Sequence, residues 1–189
     1  MEAIDQILWS EFKKGKQDAF KSLFKKYYSP LYFYGLKLSA NQDMTKEVLQ
    51  DFFVYLHTNA ANFSQVENVK AYLMISFRRL ILKEITKQRK VMQQTTSIET
   101  GAVFNFLEEE LNKNQNNSFA DNVTLLKHLN QLPERQKEVI YLKFYNNLSV
   151  KQIADVMEIS AQSVSNTLQK AFSKLRKSIE SDQILSILK

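Results

Sequence analysis

Three glycines and two prolines are all the backbone punctuation in 189 residues. Strands joined by tight hairpins need such residues at each reversal, whereas helices need them mainly at their ends. The chain is therefore expected to be all-α. Its apolar fraction of 44%, with 13 Phe and 8 Tyr, is enough to bury a core and excludes a disordered chain. The length allows one domain or two small ones.

Apolar spacings of three and four predict helices over 3–14, 17–39, 42–58 and about 69–90, and a further set from about Val123 to the end. Ile4, Ile7, Leu8 and Phe12 are expected on the inner side of the first. Pro30 should bend or split the second. Residues 58–68, TNAANFSQVEN, read as a polar loop around a lone Phe63. Residues 93–122 are rich in Gln, Asn, Ser and Thr and read as a linker, with a helical turn or two around Phe104 to Leu111. The resulting division is a front domain over 1–92, a flexible linker over 93–122 and a rear domain over 123–189.

Charge follows the same division. Residues 1–92 hold 15 basic and 9 acidic side chains, 93–123 one basic and five acidic, and 124–189 ten basic and six acidic. Two basic blocks around an acidic connector suit a polyanionic partner, although a mild basic excess also suits a solvated surface. There is no Cys, so no disulfide framework and no thiolate metal site. His57 and His128 fall in different domains, Glu108, Glu109 and Glu110 stand in a row, and no catalytic motif occurs. No catalytic residue, metal or cofactor is expected. The N-terminus is not a signal peptide and no stretch is apolar enough to span a bilayer, which fits a cytoplasmic protein.

The richest segment is LSVKQIADVMEISAQSVSNTLQKAFSKL. Ser149 can cap one helix and Ser160 the next. Val150, Ile153, Ala154 and Met157 make an inner face, Ile159 plugs the turn, and Val164, Leu168, Ala171 and Leu175 follow at spacings of 4, 3 and 4. Gln162, Ser163, Ser165, Asn166, Gln169 and Lys170 then point outward near the second helix's N-terminus. In a helix-turn-helix such residues meet base edges, while Lys170, Lys174, Arg176 and Lys177 meet phosphates. The plainer alternative is a helical hairpin with a wet polar face.

The longer run LPERQKEVIYLKFYNNLSVKQIADVMEIS, with the V, L, A and KL that follow, resembles region 4 of the sigma-70 family, in the extracytoplasmic-function group. DAFKSLFKKYYSPLYFYGLKLSANQDMTKEVLQDFFVYLH and KAYLMISFRRLILKEITKQRK resemble region 2 of the same group. Together the quoted stretches cover about 105 residues, in the family's order. They imply a dissociable initiation subunit of bacterial RNA polymerase. Its front domain would hold the β′ clamp helices of core polymerase and the melted −10 strand. Its rear domain would sit on the −35 element and the β flap, and an anti-sigma factor is a further implied partner. Gln162, Ser163, Ser165, Asn166, Gln169, Lys170, Lys174 and Lys177 become the −35 residues. Glu47, Gln50, Asp51 and Val54, gathered opposite the apolar face of their helix, become the polymerase contacts. Tyr72, Arg79, Lys83 and Lys90 form a basic stripe with an aromatic at one end, a combination suited to a single strand. With Asn59, Asn62 and Phe63 of the preceding loop they become the −10 residues. The sequence departs from the family at Arg79, where Asn is usual, at Lys83, where an acid is usual, at His57, where Trp is usual, and at Glu158, where Gly is common.

Two other functions fit a helical chain of this kind. One is a helix-turn-helix regulator with a helical N-terminal sensor domain, which needs a dimer face or ligand pocket. The other is a sigma-like adaptor that has lost DNA binding, which leaves the basic stripe without a purpose.

Overall fold

In the computed structural model, residues 2–93, 104–106 and 119–187 are described. They divide into a front unit, 1–103, and a rear unit, 104–189. Among the described residues every regular element is helical. The front unit holds α1 (Glu2–Lys13), α2 (Gln17–Ser39), α3 (Gln42–Thr58), a 3₁₀ turn (Ala60–Asn62) and α4 (Val69–Gln93). The rear unit holds α5 (Phe119–Asn130), α6 (Glu134–Ile140), a π-helical turn (Tyr141–Tyr145), α7 (Val150–Met157) and α8 (Ala161–Ile187).

Short polar residues set the helix boundaries. The C-cap of α2 is Ala40 in the left-handed region, its N–H returned to the Leu36 carbonyl. Asn41 then caps α3 by accepting from the Met44 N–H at 3.0 Å. Asn68 does the same for α4, accepting from Ala71 at 2.7 Å. Pro30 lies within α2, which continues through it from Gln17 to Ser39. Of the two expected outcomes, a bend or a split, the split does not occur.

Helix α2 is the axis of the front unit, packed against α1, α3 and α4. Trp9, Phe12, Tyr34, Phe52 and Phe77 are buried almost completely. Each such side chain contributes about 1.5–3 kcal/mol of hydrophobic stabilisation. The inner face of α1 is the expected one only in part: Phe12 is buried, but Ile4 and Ile7 are 61% and 64% exposed, and Asp5 and Trp9 face inward. Trp9 is fixed by its indole N–H, which donates to the Ser64 carbonyl at 3.1 Å. Asp5 is drawn in by Tyr27, whose hydroxyl donates to Oδ2 at 2.7 Å, and by an ion pair with Lys26.

Burial, with the Asp5 contact second, pushes the Tyr27 hydroxyl far above the usual phenol range. Burial lowers the pKa of nearby Lys70, and Lys26 lowers it further. The two shifts act oppositely. The raised Tyr27 contributes stability that is full below its unfolded pKa of about 10 and is lost as pH rises above it. The lowered Lys70 penalises the fold while charged, and that penalty is relieved as the pH rises. Tyr27→Phe isolates the tyrosine: the fall in front-unit melting temperature above pH 10 should be shallower in the variant than in the native chain.

The rear unit is built around the pair α7 and α8. Ser149 forms a reciprocal capping box with Gln152, at 3.2 and 2.8 Å. Glu158 ends α7 in the left-handed region at φ 56°, a conformation that favours glycine. The Ile159 N–H closes back on Ala154 at 3.0 Å. Ser160 then caps α8, accepting from Ser163 at 3.1 Å. Ile153, Ala154, Met157, Val164, Leu168, Ala171 and Leu175 are all buried, as their spacing predicts.

Of the expected linker, residues 94–103 and 107–118 lie outside the described residues. Phe104, Asn105 and Phe106 do not. They are non-helical where the expected turn would begin, the rest of that turn, 107–111, lying outside the described residues, and both rings are buried.

Candidate nucleic-acid interface

Because α8 is capped by Ser160 and held on its Val164–Leu168–Ala171 side, Gln162, Asn166, Gln169 and Lys170 are left exposed on its opposite side. The Gln162 amide donates to Asn166 Oδ1 at 2.9 Å, which holds the two amides as one unit. Ser163 and Ser165 are half-buried. The Ser163 hydroxyl is hydrogen-bonded to Ser160 at 2.8 Å, which gives it a capping role as well. Lys174 donates to the Gln131 carbonyl at the end of α5 at 2.9 Å, fastening α8 to that helix. Lys177 is exposed further along. Neutral amides thus lead the helix and cations follow it.

In the front unit a cleft of about 840 Å³ opens between α3 and α4. Phe63, Tyr72, Arg79 and Lys83 line it, so three helical positions and one loop position singled out in the sequence come together. Phe63 is not a lone loop aromatic. Its ring lies 5.7 Å from Trp9, 6.3 Å from Tyr72 and 6.0 Å edge-on from Tyr55. Tyr55 and Lys87 also line the cleft and were missed. Tyr55 is 56% exposed beside a broad apolar face, and that placement of an aromatic was the available signal. Leu80 is 39% exposed on the wall of the same cleft. Lys90 and Asn62 are exposed but do not line the cleft, and Asn59 is half-buried, its amide donating to the Tyr55 carbonyl at 2.9 Å. The cleft pairs flat aromatic surface with three cations, Arg79, Lys83 and Lys87, against two acids, Asp51 and Glu84, and so can stack a base and neutralise a phosphate.

Glu47, Gln50, Asp51 and Val54 are all exposed on α3. Gln50 and Val54 border a second groove, of about 600 Å³, with Phe20, Phe24, Tyr28 and Phe53 behind them. Asp51 lies on the other side, against the first cleft. Val54 is 57% exposed and Phe24 40%, so this face presents apolar surface rimmed by polar groups. Among the described residues no group of acids and histidines could hold a metal ion, and no helix is long and apolar enough to cross a membrane.

Residues 123–175 match the family model described as Sigma-70, region 4. Over 53 residues the chain is 42% identical to RNA polymerase sigma-F factor of Kitasatospora aureofaciens, a match covering 28% of this chain and 18% of that protein. It is 23% identical to RNA polymerase sigma factor YlaC of Bacillus subtilis, covering 86% of this chain and 93% of the relative. It is 21% identical to the ECF RNA polymerase sigma factor SigX of Bacillus subtilis, covering 87% and 85%. Two solved structures share the fold. CnrH in complex with the cytosolic domain of CnrY aligns with a TM-score of 0.61 at 19% identity, covering 94% of this chain and 98% of that one. The sigma factor RpoE in complex with the anti-sigma factor NepR, from Bartonella quintana, aligns with a TM-score of 0.61 at 21% identity, covering 86% and 98%.

Proposed function

We infer, from the premise that this chain is a member of the sigma-70 family in its extracytoplasmic-function group, that it is a sigma factor which directs core RNA polymerase to particular promoters. The observation that carries this reading is the region 4 match over 123–175, which falls on the capped helix pair α7 and α8. The near full-length relatives extend the reading to the front unit. Region 4 would read the −35 element through Gln162, Ser163, Ser165, Asn166 and Gln169, with Lys170, Lys174 and Lys177 toward phosphates. The front unit would hold the melted −10 strand with Asn59, Asn62, Phe63, Tyr72, Arg79, Lys83 and Lys90. Glu47, Gln50, Asp51 and Val54 would meet the β′ clamp helices, and region 4 the β flap. Phosphodiester chemistry would belong to the polymerase, so the chain is no enzyme in itself. It would act in the cytoplasm and would form a complex with an anti-sigma factor, as RpoE does with NepR.

The test is transcription in vitro with bacterial core polymerase and genomic fragments. Discrete transcripts that need both the chain and core are expected. A chain that footprints DNA alone and yields no core-dependent transcript would instead be a helix-turn-helix regulator with a helical sensor domain.

Base reading has its own expected result. Asn166→Ala should lose about 1–3 kcal/mol on the preferred −35 sequence and little on random DNA. Lys177→Ala should weaken both about equally and flatten the salt dependence. An unchanged sequence preference in Asn166→Ala would mean that another face of α8 reads the DNA.

A further inference from the structure

Phe104, Asn105 and Phe106 are seated on the rear unit by a set of specific bonds. The Asn130 side chain accepts from the Phe106 N–H at 2.8 Å and donates to the Phe106 carbonyl at 3.1 Å. That is the pair of bonds a neighbouring strand would supply. The Phe104 N–H donates to Glu134. Lys137, itself buried, donates to Asn105 Oδ1 at 3.3 Å and to Glu134 at 3.0 Å. The Phe104 ring meets Tyr141 edge-on at 5.4 Å, and the Phe106 ring meets Tyr145 at 5.5 Å. The partners in these bonds and ring contacts lie on α5, α6 or the π turn, all within the rear unit.

We propose that residues 104–106 are a clip that fixes the connector to the rear unit and thereby sets how far apart the two units can move. With the clip closed, the units are joined only by residues 94–103, between the end of α4 and Phe104. Ten residues span at most about 36 Å, whatever their conformation. With the clip open, the joining segment is 94–118, up to the start of α5. Twenty-five residues reach at most about 90 Å. The clip is a three-residue segment, a scale on which local opening occurs without global unfolding. A partner that holds the units beyond the closed limit must open it, and one that holds them close leaves it shut. This inference is independent of what either unit binds.

The test uses the full chain. As it has no Cys, Lys21→Cys and Lys151→Cys can carry spin labels, one on each unit. Asn130→Ala removes both bonds to Phe106 while keeping the aromatic rings, and the double variant Phe104→Ala with Phe106→Ala removes the rings. Amide exchange at Phe106 should be at least tenfold faster in Asn130→Ala than in the native chain, with Ile153 and Val164 unchanged to show that the helix-turn-helix remains folded. The label-to-label distances should gain a population beyond the native range in both variants. Equal exchange at Phe106 in native and variant chains overturns the clip. Superposable distance distributions after its protection is lost overturn its role in reach.

Discussion

Gly35→Val should strongly destabilise the front unit and leave the rear unit folded. A Cβ at position 35 would stand 2.7 and 2.8 Å from two ring carbons of Phe77 and 3.0 Å from the Thr45 methyl. Phe77 is fully buried and has no room to retreat, with Phe52 packed 5.8 Å away. Glycine within a helix otherwise costs about 0.5–1 kcal/mol relative to alanine, so its place in α2 is explained by this close approach of α4. Valine adds two methyl groups beyond the Cβ, and overpacking of this kind costs about 1–3 kcal/mol, sometimes more. Against a typical domain stability of about 5–15 kcal/mol that is a large share. Calorimetry should show the front-unit transition lowered steeply or lost and the rear-unit transition unmoved. Phe77→Leu introduced with Gly35→Ala should recover part of the loss, because neighbouring substitutions couple. A Gly35→Val chain that melts like the native one would show that the α2–α4 contact is looser than drawn.

The second large effect is on polymerase. Reversing Glu47 and Asp51 to lysine replaces two negative charges with two positive ones on an exposed part of α3. Neither residue belongs to the apolar face of Met44, Leu49, Phe52, Phe53 and Leu56. Core binding should fall at least about a hundredfold, since like charges facing one another across an interface cost several kcal/mol. The front-unit melting temperature should hardly change. Glu47→Gln with Asp51→Asn should lie between. If the reversed chain retains core as well as the native one does, the docking surface lies elsewhere, and the aromatic groove of Phe20, Phe24 and Tyr28 becomes the next place to mutate.

The rear unit was legible because its determinants are local. Ser149 and Ser160 act on residues three positions away, and the 4-3-4 spacing of Val164, Leu168, Ala171 and Leu175 defines a face without reference to anything else. The inner face of α1 was not legible for the opposite reason. Asp5 is buried because Tyr27 and Lys26 meet it, and no property of residues 3–14 announces that partner. Phe63 looked isolated in a polar loop, yet Trp9 and Tyr72, distant in sequence, surround it. The apolar residues of the connector carried a readable hint, since two aromatics flanking one polar residue repeat at the period of an extended segment, not of a helix. Their surroundings on α5 and α6 could not be read. The cleft shows the same limit: the stripe Tyr72, Arg79, Lys83 was visible as a spacing, whereas its opposite wall from Tyr55 depends on how α3 and α4 pack.

The turn between α7 and α8 has a genetic consequence. Glutamate and glycine codons differ at a single base, so Glu158 stands one point mutation from the residue that its left-handed backbone prefers. That step would relieve about 1–2 kcal/mol of backbone strain. A lineage whose helix-turn-helix had been weakened elsewhere could therefore recover by one nucleotide change that alters no base-reading side chain. Suppressor screens starting from a destabilised rear unit are where Glu158→Gly should surface.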